Sequence, residues 1–417
     1  MSVPSTTLII WGVAALATCG VILRPWRVPE YVWAVAGALL LTLCGLMPWP
    51  SALHAVAEGG DVYLFLIGMM LLAEVARQEG LFDWLARYAV VHARGSGQRL
   101  FDLVFLVGTL VTVFLSNDAT AVVLTPAVYA ACRAAKAEPL PYLFICAFIA
   151  NAASFVLPIS NPANLVVFGS QMPPLLEWLR QFALPSVVAI LLTYLALRLS
   201  QRRQIRRPLA PSIDPQPLSR GAQLCAAGIV LTGASLLLAS ALDKPLGLPT
   251  FCAGVATTAL IHLSGRRSPV PVLRQVAWGV LPLVAGLFVL VEAVAQTGVI
   301  RELAHALAAL AEASPTQATW AAGIGVAVAS NLMNNLPTGL IAGSMGQLAD
   351  LPQSTTAALL IGVDLGPNLS ITGSLATLLW LVAIRREGEQ VGAWQFLRLG
   401  LVVTPAALLG ALLALSI

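Results

Sequence analysis

Leu115-Ser116-Asn117-Asp118-Ala119-Thr120-Ala121-Val122-Val123-Leu124-Thr125-Pro126 sets a carboxylate, an amide and hydroxyls inside some of the most apolar sequence of the chain. Charge at bilayer depth costs about 2.5 kcal/mol or more, so such groups are buried against protein or water and tied to transport. Asn334-Asn335-Leu336-Pro337-Thr338-Gly339 echoes the pattern in the second half. Both stretches read as tips of re-entrant hairpins that meet at a transport site.

Composition fixes the class. Of 417 residues, 58% are hydrophobic and only 10% charged. A soluble globular chain carries about 25% charged residues, so this is an integral membrane protein. Apolar windows of about 20 residues, long enough to span a bilayer, recur from end to end. The formal charge of +4 does not point to nucleic acid, because the basic residues gather at membrane borders. Cys19, Cys44, Cys132, Cys146, Cys225 and Cys252 are scattered, without Cys-x-x-Cys or ligand spacing. They read as small helix residues rather than disulfides or a metal site, and no cofactor is expected. The first apolar segment lacks a basic n-region and a convincing cleavage site, so no cleavable signal is expected.

Spans are expected near 5–23, 29–47 and 59–80, then an amphipathic segment near 81–93. Apolar arms at 99–115 and 119–133 form a hairpin over 99–133 around the first polar tip. A span over 141–172 is interrupted by Leu157-Pro158-Ile159-Ser160-Asn161-Pro162, and another covers 175–199. Residues 201–220 form a basic, Pro-rich cytoplasmic linker between a first repeat, 1–200, and a second, 221–417. The second half repeats the order: spans near 221–241, 247–264 and 275–297, an amphipathic segment near 299–312, and a hairpin over 316–348. A broken helix at 354–384 and a last span at 392–416 complete it. Gly68 then aligns with Gly286, Asn117-Asp118 with Asn334-Asn335, and Asn151 with Asp364.

Charge tests the topology. Let the N-terminus lie outside and each arm pair enter and leave on one side. Every Lys and Arg except Arg180, Lys244 and Arg301 then falls on the cytoplasmic face. Counting each arm pair as one crossing would split Arg94 from Arg133 across the bilayer. The basic bias favours hairpins. The expected fold is an all-α integral membrane protein with two inverted-topology repeats. It has about ten transmembrane helices, two re-entrant helical hairpins and two broken helices, the architecture of secondary transporters.

Unpaired backbone groups cannot face lipid, so broken helices at this depth line a protein cavity. The break residues suit helix starts: Asn161 before Pro162, Asn335 shortly before Pro337, Ser116 or Asn117 before Ala119, and Thr372-Gly373-Ser374. Four helix N-termini would converge there, each with free N–H groups and a partial positive end. Asp118 and Asp364 are the acids placed well inside the bilayer, and each faces an Asn in the other repeat. A carboxyl removed from water is easier to protonate, a change that a helix N-terminus opposes and a C-terminus reinforces. Asp364, before Gly366-Pro367, is therefore read as the titrating group and Asp118 as solute-positioning. The proton-coupling candidates are Asp364 and Asp118. The solute-binding candidates are Ser116, Asn117, Asp118, Thr120, Asn161, Asn164, Asn334, Asn335, Ser374 and Thr377. A plain alternative is that Asp118 only caps a helix and that the Asn and Ser side chains only satisfy broken backbone. Glu74, near Arg77, and Glu292 read as membrane-border residues, and 81–91 and 299–310 as surface-lying amphipathic helices.

Four motifs carry a family resemblance. They are Leu115 to Ala121, Asn151-Ala152-Ala153-Ser154 running into Leu157 to Pro162, Asn331 to Pro337, and Gly362-Val363-Asp364-Leu365-Gly366-Pro367-Asn368-Leu369 followed by Thr372 to Thr377. Across nearly the whole chain the pattern resembles the ArsB family of arsenite and antimonite efflux permeases, in the ion transporter superfamily. The resemblance implies a bacterial inner-membrane carrier exporting As(OH)3 or Sb(OH)3 in exchange for protons. Some members also work with a cytosolic ArsA-type ATPase. Rival readings are a Na+/H+ antiporter of the same superfamily and a sodium-driven carboxylate carrier. An intramembrane aspartyl protease needs Gly-x-Gly-Asp, which Gly362-Val363-Asp364 does not supply.

Trivalent arsenic is thiophilic, yet none of the cysteines clusters at a break. A variant lacking all six cysteines is therefore expected to keep exporting arsenite from vesicles. A folded cysteine-free protein that fails to move arsenite would contradict this.

Overall fold

The computed structural model describes residues 5–169, 172–209, 217–242 and 244–416. Residues 170–171 of the expected span 141–172 and 210–216 of the expected linker lie outside the described residues. Helix follows helix, and among the described residues the only extended pairing is an isolated Ser96–Pro208 bridge. That is what an apolar chain does when lipid offers its backbone no hydrogen bonds.

The first half runs Ser5–Leu23, Glu30–Leu43, Gly60–Gln78, Leu81–Ala93 and the arm Gly97–Phe114. The return arm follows as Asn117–Ala119, a π-helical turn Thr120–Leu124 and Thr125–Ala134. Then come Leu140–Ala152, Pro162–Phe168 and Leu175–Ser200. The second half matches this order with Arg220–Ala241, Gly247–Gly265, Val280–Gln296, Val299–Ala313, the arms Pro315–Met333 and Asn335–Leu348, Gln353–Leu365, Leu375–Arg386 and Ala393–Leu415. The short helices Trp49–Glu58 and Val270–Gln275, which hydropathy did not separate, precede the third long helix of each half.

Six helices are long and apolar enough to cross a bilayer alone, or up to eight if each of two bent pairs is one span. The gap from the expected ten has a physical reason. Glu30–Leu43 has only 14 residues, roughly 21 Å of helix, and each broken helix divides its length between two pieces.

Each arm pair doubles back. Tyr142 Oη donates to Gly97 O at 3.2 Å, and Thr319 Oγ1 to Ser354 Oγ at 3.3 Å, so the start of each hairpin lies beside residues that follow its end. The return arm of the first hairpin widens to a π-turn for a reason visible in the sequence. Pro126 has no N–H for the Val122 carbonyl four residues back, and its ring would crowd it; in the widened turn Thr125 Oγ1 also donates to Thr120 O at 3.1 Å. The amphipathic helices depart from expectation. Leu81–Ala93 buries Phe82, Ala86 and Val90, and Val299–Ala313 buries Ile300, Ala304 and Leu307. Each packs against both arms of its own hairpin, so the apolar stripe faces protein as well as the membrane border.

Packing between the halves is reciprocal. Gly60–Gln78 lies against Gly247–Gly265, and its counterpart Val280–Gln296 against Glu30–Leu43. Glycines allow the approach: a Cβ on Gly68 would sit 2.3 Å from Thr250 O, and one on Gly286 2.7 Å from Ala34 C. The hairpins, broken helices and closing helices form a second group, in which Leu175–Ser200 packs along Ala393–Leu415. Gly68→Val should lower the melting midpoint of detergent-solubilised protein, with overpacking worth about 1–3 kcal/mol. Gly325→Ala, where a methyl meets open space, should hold or raise it. Equal melting of the two variants would contradict the close approach.

Candidate functional site

The four interruptions end in helix starts, and each start is capped by a side chain from its own break. Ser116 Oγ accepts from Ala119 N at 3.2 Å, and Asn161 Oδ1 from Ala163 N at 3.0 Å. Asn334 Oδ1 accepts from Leu336 N at 3.4 Å, and Ser374 Oγ from Thr377 N at 3.0 Å. The third cap is Asn334, not the expected Asn335. Asn334 holds φ 77° and ψ 155°, a conformation otherwise left to glycine. This turn moves the helix start one residue earlier and frees Asn335.

The first turns of all four helices line one narrow central cavity, with room for about one water molecule. Asn117 and Asp118, Asn161 and Pro162, Asn335 and Leu336, and Leu375 and Ala376 supply its walls. Leu66, Val280 and Val284, from the long helices, close it with apolar surface. Sequence reasoning missed these three because nothing polar marks them.

Two of the polar side chains are uncommitted. The Asp118 carboxylate accepts no hydrogen bond among the described residues; only its backbone N–H is engaged, by Asn117 Oδ1 at 2.9 Å. Asn335 Oδ1 is buried and has no partner among the described residues. Both face the same cavity, and the caps shift the expected alignment by one residue: Asn117 and Asn335 each open a helix, and Asp118 and Leu336 follow them.

Asp364 stands one layer back. It is fully buried, next to the end of Gln353–Leu365, and its Oδ1 accepts from Asn161 Nδ2 at 2.7 Å. Its Oδ2 has no partner. Asn161, itself in the cavity wall, thus joins Asp364 to the cavity. Two more bonds cross the halves in the same direction: Asn151 Nδ2 donates to Asn368 Oδ1 at 2.9 Å and Thr377 Oγ1 at 3.3 Å.

The remaining predicted residues are placed in the scaffold of the breaks. Asn164 Nδ2 donates to the carbonyls of Ser154, Leu157 and Pro158 at 2.8–3.2 Å. Thr120 Oγ1 pairs with Thr112 Oγ1 at 2.8 Å, and Ser374 Oγ with Thr377 Oγ1 at 2.9 Å. Asn334 Nδ2 reaches Thr372 O at 3.2 Å, and Ser116 acts through its cap. Asn331, quoted in a motif but given no role, donates to Gly366 O at 2.8 Å. Glu74 is held by Arg77 at 2.6 Å, as its spacing implied, and Glu292 accepts from Gln296 at 3.1 Å. No cysteine lines the cavity.

Comparison with known proteins agrees with this architecture. The arsenical pump membrane protein of Yersinia enterocolitica is 29% identical over 365 residues, covering 84% of this chain and 85% of that protein. An arsenical pump membrane protein of Escherichia coli is 28% identical over 401 residues, covering 92% of each chain. The crystal structure of the Alcanivorax borkumensis YdaH transporter superposes with a TM-score of 0.59 at 17% identity, covering 99% of this chain and 98% of that one. That last likeness speaks to fold alone. The citrate transporter family, CitMHS, matches residues 7–362. The chain is a non-enzymatic membrane transporter and belongs to the CitMHS family.

Proposed function

We propose that this protein is a secondary carrier that exports neutral As(OH)3 and Sb(OH)3 from the bacterial cytoplasm in exchange for protons. In this reading it sits in the inner membrane with its N-terminus outside. Two inverted repeats supply ten spans and two re-entrant hairpins. The observation that carries the proposal is the pair of uncommitted polar groups, Asp118 and Asn335, facing one cavity from opposite halves. A buried polar atom without a partner, such as Asn335 Oδ1, is costly, and a small solute bearing hydroxyls would satisfy it and the half-buried Asp118 carboxylate together. Relatives named as arsenical pump membrane proteins supply the choice of solute.

Arsenous acid is a weak acid, neutral at cytoplasmic pH, so the membrane potential alone cannot drive it out. Proton influx can. When Asp364 is charged, its bond from Asn161 is charge-assisted and strong, and it ties the two halves together. A proton on Asp364 weakens that tie, and Asn161 passes the change to the cavity wall. Alternation between the two states then moves solute one way and protons the other.

The family's description favours a second reading, uptake of citrate. The lining argues against it: among the described residues no Arg or Lys faces the cavity, while Asp118 does. A trianion would meet a carboxylate with only helix N-termini to offset it.

Everted vesicles under an imposed pH gradient distinguish these readings when arsenite, antimonite, citrate and Na+ uptake are measured in turn. Metalloid uptake is expected; Na+ or citrate uptake without it would overturn the proposal. Asp364→Asn should lose gradient-driven arsenite uptake at least tenfold while keeping arsenite exchange, and unchanged driven uptake would count against the coupling role. Asn335→Ala should impair uptake with little change in melting. Asn164→Ala, which takes the side-chain donor from Ser154 O and Pro158 O while Leu157 O keeps its bond from Ser160 N, should lower the melting midpoint, each unsatisfied group costing about 1–3 kcal/mol. The reverse pattern would contradict the assignment of Asn335 to the solute and Asn164 to the scaffold.

A further inference from the structure

A second, larger cavity adjoins the central one. It has a volume of about 600 Å³, against about 10 Å³ for the central cavity, and its walls include Val62, Leu165, Glu58, Asp61, Glu177 and Lys244. Two helices line both spaces. On Gly60–Gln78, Val62 faces the larger cavity and Leu66 the central one; on Pro162–Phe168, Leu165 faces the larger and Pro162 the central. Residues three or four apart share a helix face and are separated by one turn, about 5.4 Å. Only one helical turn therefore separates the two spaces along either helix. The side chains at that boundary are apolar and closely packed: Val62 is 5% exposed, and Leu66 and Leu165 are each 3% exposed.

We propose that the larger cavity is the outer mouth of the solute path, and that Val62, Leu66 and Leu165 form the apolar plug closing it from the central site. The assignment of the mouth to the outer face rests on the export reading and topology above. Among the described residues the mouth carries three carboxylates, Glu58, Asp61 and Glu177, against one ammonium, Lys244. Part of this charge is anchored: Asp61 Oδ1 accepts from Gly247 N at 2.8 Å, and Glu177 Oε1 from Gln353 Nε2 at 3.2 Å. A net negative rim concentrates hydronium and other cations and repels polyanions, while a neutral solute leaves unhindered. The central cavity is too small for arsenous acid, whereas the mouth is not. The plug is thus the element whose movement admits solute to the exit.

The test uses the full-length, cysteine-free protein carrying Val62→Cys, Leu66→Cys or Leu165→Cys, in intact cells and in everted vesicles. The probes are membrane-impermeant methanethiosulfonates, one cationic and one anionic, with rates corrected for their reaction with free thiol. Val62→Cys and Leu165→Cys should label at least tenfold faster from the outer face than from the cytoplasmic face. The cationic probe should be favoured at least fivefold, and Glu58→Gln combined with Glu177→Gln should abolish that preference. Labelled Leu165→Cys should lose arsenite export at least tenfold, and Leu66→Cys should label from outside only during turnover. If Leu165→Cys does not fold, Val62→Cys carries the same measurement.

Faster labelling from the cytoplasmic face, or export unchanged after complete labelling, would overturn the proposal. Labelling needs no arsenite, so the two readings fail separately. Sided labelling without metalloid transport would leave the mouth standing and sink the solute assignment. Metalloid export with labelling from the wrong face would do the opposite.

Discussion

A polypeptide interrupted inside a bilayer has to satisfy its own backbone, and this constraint organises the centre of the molecule. Each of the four breaks is closed by a side chain at the helix start: Ser116, Asn161, Asn334 and Ser374. Further bonds stitch each broken helix to the hairpin of its own half. Ser160 Oγ donates to Val113 O at 3.0 Å, and Asn335 N to Gly373 O at 2.8 Å. Bonds between the halves, Asp364 with Asn161 and Asn151 with Thr377, then bring the two stitched units together. Most of the polar residues in these motifs are consumed by this work.

What the scaffold leaves over is informative. Once caps and stitches are made, Asp118 and Asn335 still point at shared space without a protein partner. Asp364 Oδ2 is likewise unpartnered, behind Asn161. A protein stabilised only by packing would gain from filling such positions with apolar groups. Keeping them polar favours a solute that arrives and leaves. The two halves also differ where chemistry needs them to: the second residue of the helix at the hairpin tip is Asp118 in one half and Leu336 in the other, so one charge serves a site built from two similar parts.

Much of the fold was legible because its breaks are polar words in apolar text. The order of helices, the arm pairs and the amphipathic segments all follow from hydropathy and from Asn, Ser, Pro and Gly at the interruptions. The Glu74–Arg77 pair followed from helical spacing. Other features were not legible, for reasons that are local. Asn161 caps the short helix that carries Asn164 three residues on, yet the first faces the cavity and the second the loop of its own break; spacing alone does not separate them. The exchange of roles between Asn334 and Asn335 depends on one positive backbone φ. The Asn161–Asp364 bond joins residues 203 apart, and the apolar wall of Leu66, Val280 and Val284 has no chemical signature at all.

The central claim is that the hairpin tips of opposite halves share one small cavity. Its most direct test is disulfide formation in cysteine-free protein carrying Asn117→Cys together with Asn335→Cys, oxidised in native membranes. The account predicts rapid, near-complete cross-linking within one chain. Two thiols that each label singly yet never join under oxidation would show that the tips do not meet.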